Sequence, residues 1–327
     1  NVRENVGVIE VANFSKHEFK GPDARKFLDH ILAGRLPKPG RISLSPMLSY
    51  RGKLYGDLTV ACFDENEFMV FGSGAAQEMH RRWFESHINK FNLSYKNRSD
   101  EFHGLSIAGP RSRELLQKIT RDDVSNTNLK FRDSRHMFVG GVPAIVNRIS
   151  FTGELGYEIY VAPHFHLKLY EEIMEAGKEF NIKPFGGRAL MSMRLEKNWG
   201  AWTLDYRPDF TAKETGLDKF INWNKEFIGK ESAEKDICQN KLVPLMVETN
   251  EIDVTYNEAV MKGDKSIGYI TSGGFAHFVN KSVAFSYLNT KELNSEKGIQ
   301  VEINGDLFNC AIIKEPLYDP SGQKMRS

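Results

Sequence analysis

The fold of this chain is decided by the stretch Arg148-Ile-Ser-Phe-Thr-Gly-Glu-Leu-Gly-Tyr-Glu-Ile-Tyr160. Two glycine-containing pairs, Thr152-Gly153 and Leu155-Gly156, interrupt two runs of β-forming residues, so the pattern predicts a strand, a turn and a second strand. Because successive side chains of a strand point to opposite faces, the second strand carries Glu158 and Tyr160 on one face. The other face carries Tyr157, Ile159 and Val161.

A carboxylate beside an aromatic ring on a strand suits a particular kind of ligand. Carboxylate oxygens accept two parallel hydrogen bonds, so Glu158 beside Tyr160 fits a planar heterocycle that carries several N–H donors. The same segment is also typical of a hairpin whose polar face meets water. From these residues alone both interpretations stay open.

Strand and helix patterns are interleaved along the first part of the chain. Residues 6–20 alternate as a strand does, and residues 54–63 and 67–71 predict a hairpin around Asp64-Glu-Asn66. Apolar side chains at helical spacing predict helices over residues 22–32, 75–89, 111–119 and 164–178, the first with Pro22 in its first turn. Hairpins imply antiparallel sheets, so the pattern indicates an α+β fold and not a doubly wound one.

Beyond about residue 240 the helical patterns stop. Short strands separated by turns are predicted at residues 242–248, 266–271, 281–288, 299–303 and 307–314, which is typical of a small barrel or sandwich. We place the boundary between Phe227-Ile-Gly-Lys230 and Lys241, which predicts one domain over residues 1–232 and a second over residues 233–327.

Composition excludes several classes of protein. The 327 residues carry 44 basic and 43 acidic side chains and a net charge of +1, which argues against a nucleic-acid binder that neutralises phosphates. The three cysteines, Cys62, Cys238 and Cys310, lie far apart, so we expect neither disulfides nor a metal site, and a reducing, cytoplasmic compartment. No apolar run is long enough to cross a membrane. Because the sequence begins at Asn1 without a methionine, we expect a trimmed or partial chain.

The sequence from Phe151 to Tyr160 resembles the Tyr-Thr-Gly-Glu-x-Gly-x-Glu-Ile signature of the aminomethyltransferase family, which includes the T-protein of the glycine cleavage system. Further similar motifs run along nearly the whole chain: Val6-Gly-Val-Ile-Glu10, Lys20-Gly-Pro-Asp-Ala24, Met47-Leu-Ser-Tyr-Arg-Gly-Lys53, Asp57-Leu-Thr-Val60, Ile107-Ala-Gly-Pro-Arg-Ser112, Arg194-Leu-Glu-Lys197, Thr271-Ser-Gly-Gly274 and Glu315-Pro-Leu317. Within this family the motifs look particularly similar to the folate-binding C-terminal half of dimethylglycine and sarcosine dehydrogenases.

This resemblance implies a fold and an activity. The fold would be two α+β subdomains with mainly antiparallel sheets around a central folate pocket, followed by a C-terminal β-barrel. The activity would be transfer of a methylene group from an amine-derived iminium to tetrahydrofolate, giving 5,10-methylenetetrahydrofolate. Partners would be folate, a small amine donor and an FAD-containing oxidase or dehydrogenase, because the chain itself shows no FAD-binding segment and FAD would come only from a separate or missing domain. In a eukaryote the compartment would be the mitochondrial matrix.

Asp57 is the residue that we expect to be catalytic. In the resembled family the equivalent acid lies near the reacting nitrogens of tetrahydrofolate, where a carboxylate stabilises developing positive charge and relays the released proton. Leu58 and Thr59 would add main-chain or hydroxyl contacts. For an arbitrary aspartate beside a glycine, a solvated turn residue is the alternative.

Glu158 is carried over as the anchor of the pteridine ring, with Ile159 and Tyr160 beside it. Two positions depart from the dehydrogenase branch, because Phe151 and Lys219 stand where that branch has tyrosines. Phe151 would keep ring stacking without the hydroxyl contact, and Lys219 would either meet the glutamate tail of folate or face water. Arg188 is a further candidate folate contact, since it lies two residues before the position at which T-proteins have an arginine.

Other segments are assigned structural roles. Arg194 and Glu196 are predicted to form an internal ion pair on a helix with Leu190, Met193 and Trp199. Tyr50 and Tyr55 flank Asp57 and either line the pocket or pack in the core. The segment Gly72-Ser-Gly-Ala-Ala-Gln77 imitates a dinucleotide fingerprint, but Gln77 replaces its third glycine, so we reject that interpretation. His164 and His166 lack metal-ligand spacing, and no metal site is expected.

Two other functions remain open at this point. One is a non-catalytic folate-binding regulatory or assembly factor, which the presence of both Asp57 and Glu158 argues against. The other is a folate-dependent demethylase of a sulfonium or quaternary amine on the same scaffold.

Overall fold

A computed structural model describes residues 1–249, 252–294 and 298–327. Within these ranges the strands are β1 Gly7–Glu10, β2 Ser15–Lys20, β3 Arg41–Leu48, β4 Leu54–Asp64, β5 Glu67–Gly72, β6 Ser94–Asn97, β7 His103–Ala108, β8 Ser134–Val139, β9 Val142–Asn147, β10 Gly156–Val161, β11 Lys183–Pro184, β12 Asn240–Val247, β13 Ala259–Lys262, β14 Lys265–Ala276, β15 Lys281–Asn289, β16 Ile299–Ile303 and β17 Asp306–Ile312.

The described residues form seven α-helices. They are α1 Ala24–Ile31, α2 Gln77–His87, α3 Ser112–Lys118, α4 His166–Gly177, α5 Gly187–Glu196, α6 Ala212–Thr215 and α7 Lys230–Glu234. The first four confirm the predicted helices to within a few residues at each end. Short 3₁₀ turns, at Gly74–Ala76 and Ile88–Lys90, account for the ends that the helical pattern assigned to α2. Nothing in the sequence analysis predicted α6 or α7.

The first sheet has six strands in the order β11-β1-β7-β10-β9-β8. Only the short β11 pairs in parallel, with β1, and all other neighbours are antiparallel. One face packs against α3 and α4 in a core whose members from β10 are Tyr157, Ile159 and Val161. These are the three residues that the strand alternation assigned to a common face.

The second sheet has five antiparallel strands in the order β3-β4-β5-β2-β6. Its outer face packs against α1 and α2, with Leu58 and Val60 of β4 in the same core as Phe27 and Phe84 of the helices. The hairpin of β4 and β5 confirms the one predicted around residues 64–66.

The two sheets pack against each other through their remaining faces. A separate core joins them, and it includes Ala61 of β4, Phe71 of β5 and Tyr160 of β10. The rings of Phe71 and Tyr160 lie 4.9 Å apart between centroids. The result is a helix–sheet–sheet–helix arrangement, which confirms the predicted α+β class with mainly antiparallel sheets.

Strands β12 to β17 form a closed barrel in the order β12-β15-β14-β13-β16-β17, as predicted for the C-terminal part. The prediction missed β13 and ended β14 at residue 271, whereas the strand continues to Ala276. The paired glycines there act not as a break but as a place of close packing, because a Cβ on Gly273 would lie 2.4 Å from the carbonyl oxygen of Val254. The proposed division between residues 232 and 233 stays a prediction.

Two further strand predictions differ from the structure. Residues 6–20 form two strands in different sheets, because the chain bends at Ala12–Phe14, where two carbonyl oxygens accept hydrogen bonds from the Lys16 ammonium. In the decisive stretch the first strand ends at Asn147, and residues 148–155 form the connection to β10. Arg148 leaves the sheet because its buried guanidinium donates to Asn126 and to the carbonyls of Leu129 and Ser327.

Candidate active site

Both carboxylates that the sequence singled out lie on strand faces that are directed toward the opposite sheet. Glu158 shares its face of β10 with Tyr160, which packs in the core between the sheets. Asp57 and Thr59 share their face of β4 with Ala61, which belongs to that same core. The alternation of each strand therefore directs Glu158 from one sheet and Asp57 from the other toward a common interior layer.

Asp57 is partly buried on its strand. Burial raises the pKa of its carboxyl to about 7, and a hydrogen bond from its own main-chain N–H opposes that rise. In the described ranges no side chain forms an ion pair or hydrogen bond with this carboxylate. A carboxylate that is desolvated and unpaired is suited to stabilising a cation or taking up a proton.

Glu158 has the same character but has a neighbour that orients it. Burial raises the pKa of its carboxyl to about 7, while a hydrogen bond from Tyr160 and the positive charge of Lys16 act in the opposite direction. The Tyr160 hydroxyl donates to Oε2 of Glu158 at 2.7 Å. Within residues 1–249, 252–294 and 298–327 no other donor bonds this carboxylate, so Oε1 and the second lone pair of Oε2 can accept from a ligand.

The predicted ligand-binding residues Leu58, Thr59 and Ile159 differ in whether their side chains can reach a ligand. Leu58 and Ile159 are fully buried, and their side chains point into the two helix-covered cores, away from the space between the sheets. Only their main-chain groups can face a ligand there. Thr59 is partly exposed on the same face as Asp57, and its hydroxyl contact with a ligand stays a prediction.

The remaining candidates lie outside the strands. Phe151 is partly buried in the connection between β9 and β10. Lys219 lies in a 3₁₀ turn, with its ammonium 5.3 Å from the ring centroid of Phe220 and 6.0 Å from that of Trp199. Arg188 is exposed in the first turn of α5, and no described contact connects it with either carboxylate.

The predicted ion pair between Arg194 and Glu196 is wrong. Residues two apart on a helix point in different directions, so these side chains cannot meet. Arg194 instead donates to Asp205 at 2.5 Å, and Glu196 accepts from Arg3 at 2.5 Å. Trp199, which the prediction placed on the same helix, lies beyond its end at Glu196.

Asp205 is a buried junction that the sequence analysis missed. Besides Arg194, its carboxylate accepts from the hydroxyls of Thr271 and Ser272 on β14, at 2.5 and 2.7 Å. The main-chain N–H of Ala201 donates to it as well, at 2.9 Å. These bonds attach the barrel to α5 and to the loop that follows it.

Tyr206, also missed, comes from that loop to the vicinity of Asp57. Burial and then the negative charge of Asp57 raise the pKa of the Tyr206 hydroxyl. The hydroxyl accepts from the main-chain N–H of Gly200 at 3.1 Å, so its own proton is free to point elsewhere. Gly200 permits this approach, since a Cβ there would lie 2.4 Å from Cζ of Tyr206.

The structure also locates the tyrosines and the glycine-rich segment that the sequence analysis discussed. Tyr50 is 65% exposed and, like Tyr55, packs its ring near Trp83. The strand before Gly72 is antiparallel to both neighbours, unlike a strand of a dinucleotide-binding unit. Among the residues described, no three histidine, cysteine or acidic side chains are grouped to hold a metal ion. No helix in the same ranges has the length and apolar composition needed to cross a bilayer.

Comparison with known families agrees with this architecture. A family model described as the GCVT N-terminal domain matches residues 1–225, and one described as the glycine cleavage T-protein C-terminal barrel domain matches residues 240–319. The chain belongs to the glycine cleavage T-protein family. Among the members of this family with solved structures, the glycine cleavage system aminomethyltransferase T from Bartonella henselae superimposes with a TM-score of 0.88. That match covers 98% of this chain and 88% of the other at 20% identity, so it establishes the shared fold.

Two relatives in the T-protein family differ in how much of their length this chain covers. Mitochondrial dimethylglycine dehydrogenase of Mus musculus is 36% identical over 324 residues, which are 97% of this chain and 37% of that protein. An aminomethyltransferase of Desulfitobacterium hafniense strain Y51 is 31% identical over 98% of this chain and 89% of its own length. The chain thus spans less than two-fifths of the dehydrogenase but most of the aminomethyltransferase.

Proposed function

We propose that this protein is a tetrahydrofolate-dependent one-carbon transferase, which accepts a methylene group from an amine-derived iminium to give 5,10-methylenetetrahydrofolate. The observation that carries the proposal is the pair of desolvated carboxylates, Asp57 and Glu158, on facing sheets. The aminomethyltransferase and dimethylglycine dehydrogenase relatives support this choice of reaction and of an N-methyl amine as the source of the carbon.

The residues present fit a folate. Glu158 has oxygen lone pairs free for the 2-amino group and an adjacent ring N–H of a pteridine, and a carboxylate matches that pair of donors bidentately. Tyr160 orients the anchor through its hydroxyl, and Phe151, partly exposed in the connection before β10, is the aromatic ring that we assign to stacking on the pteridine. Bound tetrahydrofolate would supply the nucleophilic nitrogens that accept the methylene group.

Asp57 would act at the reacting centre. Its carboxylate stabilises the positive charge of an iminium donor and the charge that develops on the attacking amine as the C–N bond forms. Forming the bridge between two nitrogens releases the donor amine and one proton, and a carboxyl with a pKa of about 7 is matched to taking that proton near neutral pH. We assign the generation of the iminium to an FAD-containing oxidase or dehydrogenase, as a separate subunit or as another part of a longer polypeptide.

Binding and transfer variants test this proposal. Tetrahydrofolate titrated into the protein in a calorimeter should bind in the micromolar range, and Glu158→Ala should weaken binding by about 2 kcal/mol, roughly thirtyfold, because the pteridine donors lose their acceptor. Asp57→Asn should bind nearly as tightly but form far less 5,10-methylenetetrahydrofolate from an iminium donor. Glu171→Gln, exposed on α4, is the matched control and should change neither quantity.

Each outcome has a clear meaning. Absence of tetrahydrofolate binding by the unmodified protein would refute the proposal. Normal binding with no folate-dependent product from amine or sulfonium donors would favour a non-catalytic folate-binding factor. Product from a sulfonium or quaternary amine alone would identify a demethylase.

A further inference from the structure

Lys16 is a fully buried lysine in the interior of β2. Its ammonium does not reach solvent, and instead donates to the carbonyl oxygens of Ala12 and Phe14 at 2.7 Å each, and of Ser99 at 3.4 Å. Main-chain carbonyls oriented in this way replace the hydration that burial removes. The three carbonyl oxygens therefore stabilise the charged form of Lys16 inside the protein.

This cation lies beside the group that orients Glu158. The Lys16 Nζ is 5.7 Å from the ring centroid of Tyr160, and the Tyr160 hydroxyl donates to Oε2 of Glu158 at 2.7 Å. The positive charge of Lys16 also acts on the Glu158 carboxylate itself, where it opposes the rise in pKa that burial causes. Lys16, from the five-stranded sheet, is thus joined to Glu158, from the six-stranded sheet, through Tyr160.

The surrounding charges leave Lys16 as the cation that acts on Glu158. Asp100 and Glu158 are the anions that raise the pKa of Lys16, while burial, the larger effect, lowers it to about 8. Glu18, on the same face of β2 as Lys16, forms ion pairs with Arg98 at 3.0 Å and Lys20 at 3.2 Å. From β5, the neighbouring side chain at the Tyr160 ring is the apolar Phe71.

We propose that Lys16 and Tyr160 are positioning residues that favour the ionised form of Glu158 and hold one of its oxygens fixed. The inference rests on the proposed folate site and adds how that site chooses its ligand. An ionised Glu158 offers two acceptors and selects a heterocycle edge with two N–H donors, such as a 2-amino-4-oxopyrimidine ring. A protonated Glu158 would offer one donor and one acceptor and would match a different edge.

The test removes the charge and keeps the packing. Lys16→Met retains an unbranched apolar side chain without the ammonium, Lys16→Arg restores the charge, and Tyr160→Phe removes only the hydroxyl. Lys20→Met, on the same strand with a side chain 43% exposed, is the control. Ionisation of Glu158 is followed by difference infrared spectroscopy between pH 5 and 9, with the band assigned by its loss in Glu158→Gln.

The pH midpoint at which Glu158 ionises should depend on the charge of the buried Lys16 and not on that of the exposed Lys20. In Lys16→Met the midpoint should rise by about one pH unit, and Tyr160→Phe should shift it in the same direction. Lys16→Arg and Lys20→Met should keep the midpoint of the unmodified protein. An unchanged midpoint in folded Lys16→Met, or in Tyr160→Phe if Lys16→Met does not fold, overturns the inference.

Tetrahydrofolate affinity provides the second readout. A rise of the midpoint from about 7 to about 8 lowers the ionised fraction at pH 7 from about one half to about one tenth, so Lys16→Met should bind about fivefold more weakly there. At pH 9 its affinity should equal that of the unmodified protein, which a general packing defect would not allow. A shifted midpoint without tetrahydrofolate binding in any variant would sustain the role of Lys16 and refute the folate site. If Lys16→Met binds tetrahydrofolate as tightly as the unmodified protein and with the same pH dependence, the folate site is supported and the role of Lys16 is refuted.

Discussion

Replacing Asp57 by asparagine should make the protein more stable at neutral pH while abolishing transfer. Burial raises the pKa of Asp57 from 3.8 to about 7, so the folded state resists ionisation of this carboxyl more than the unfolded state does. Between about pH 4 and pH 7 the unfolded chain releases this proton first, and the free energy of unfolding falls as the pH rises. An asparagine has no proton to release and is free of this effect.

The magnitude follows from the pKa difference. A change of about three pH units corresponds to at most about 4 kcal/mol. Asp57 is partly accessible, and water that reaches the carboxylate reduces the cost of its ionisation, so we expect about 1–3 kcal/mol above pH 7. Near pH 4 the protonated aspartic acid and the asparagine are nearly equivalent, and the stability difference should vanish.

Urea unfolding followed by tryptophan fluorescence at several pH values between 4 and 8.5 measures this difference. The control is Asp264→Asn, a carboxylate exposed in the turn between β13 and β14, which should show no comparable pH-dependent gain. The reasoning is refuted if Asp57→Asn is no more stable than the unmodified protein at pH 8, or if its advantage does not change with pH.

Three further expectations concern stability. Asp205→Ala should lose about 3–5 kcal/mol, because it leaves the buried Arg194 without its carboxylate, and Asp205→Leu combined with Arg194→Met should recover most of that loss in the same urea experiment. Thr203 has a φ of 72°, which a β-branched residue rarely adopts, so Thr203→Gly should raise the unfolding free energy by about 1 kcal/mol, and an unchanged midpoint would contradict the strain. Burial lowers the pKa of His17 to about 3 and of His80 to about 4, so the unfolded chain takes up protons below about pH 6.5 that the folded chain does not, and stability falls as the pH drops from 6.5 toward 4. As the pH falls from 6.5 to 5, the free energy of unfolding of His80→Gln should decrease by about 1–2 kcal/mol less than that of the unmodified protein. An equal decrease in both proteins would show that His80 titrates normally.

Features with a local cause could be predicted from the sequence. The opposite faces of β10 follow from an alternation of period two, which no distant contact needs to supply. Repeated short strands and turns predicted a small barrel or sandwich for the C-terminal part, and the family resemblance chose the barrel that is observed. Selecting Asp57 as the catalytic candidate depended on a resemblance, because a lone acid after a glycine carries little information about its surroundings.

Features with a distant cause could not be predicted. The pairing of Arg194 with Asp205 depends on a loop that returns to the helix end, and the sequence gives no periodicity for such a return. The division of residues 6–20 into two strands depends on a lysine that folds back on the main chain of Ala12 and Phe14. A charged residue at an inward position of a strand is the one signal that would have drawn attention to Lys16.

The path of the chain through the two sheets has a consequence for synthesis on the ribosome. Residues 15–97 supply every strand of the five-stranded sheet, whereas the six-stranded sheet joins β1, at residues 7–10, to strands between residues 103 and 184. The five-stranded sheet can therefore assemble while β1, which precedes it in the sequence, still lacks both neighbours, since β7 and β11 emerge later. Until those neighbours are made, β1 is an unpaired β segment, and an unpaired segment of an incompletely folded chain is prone to pair with other chains.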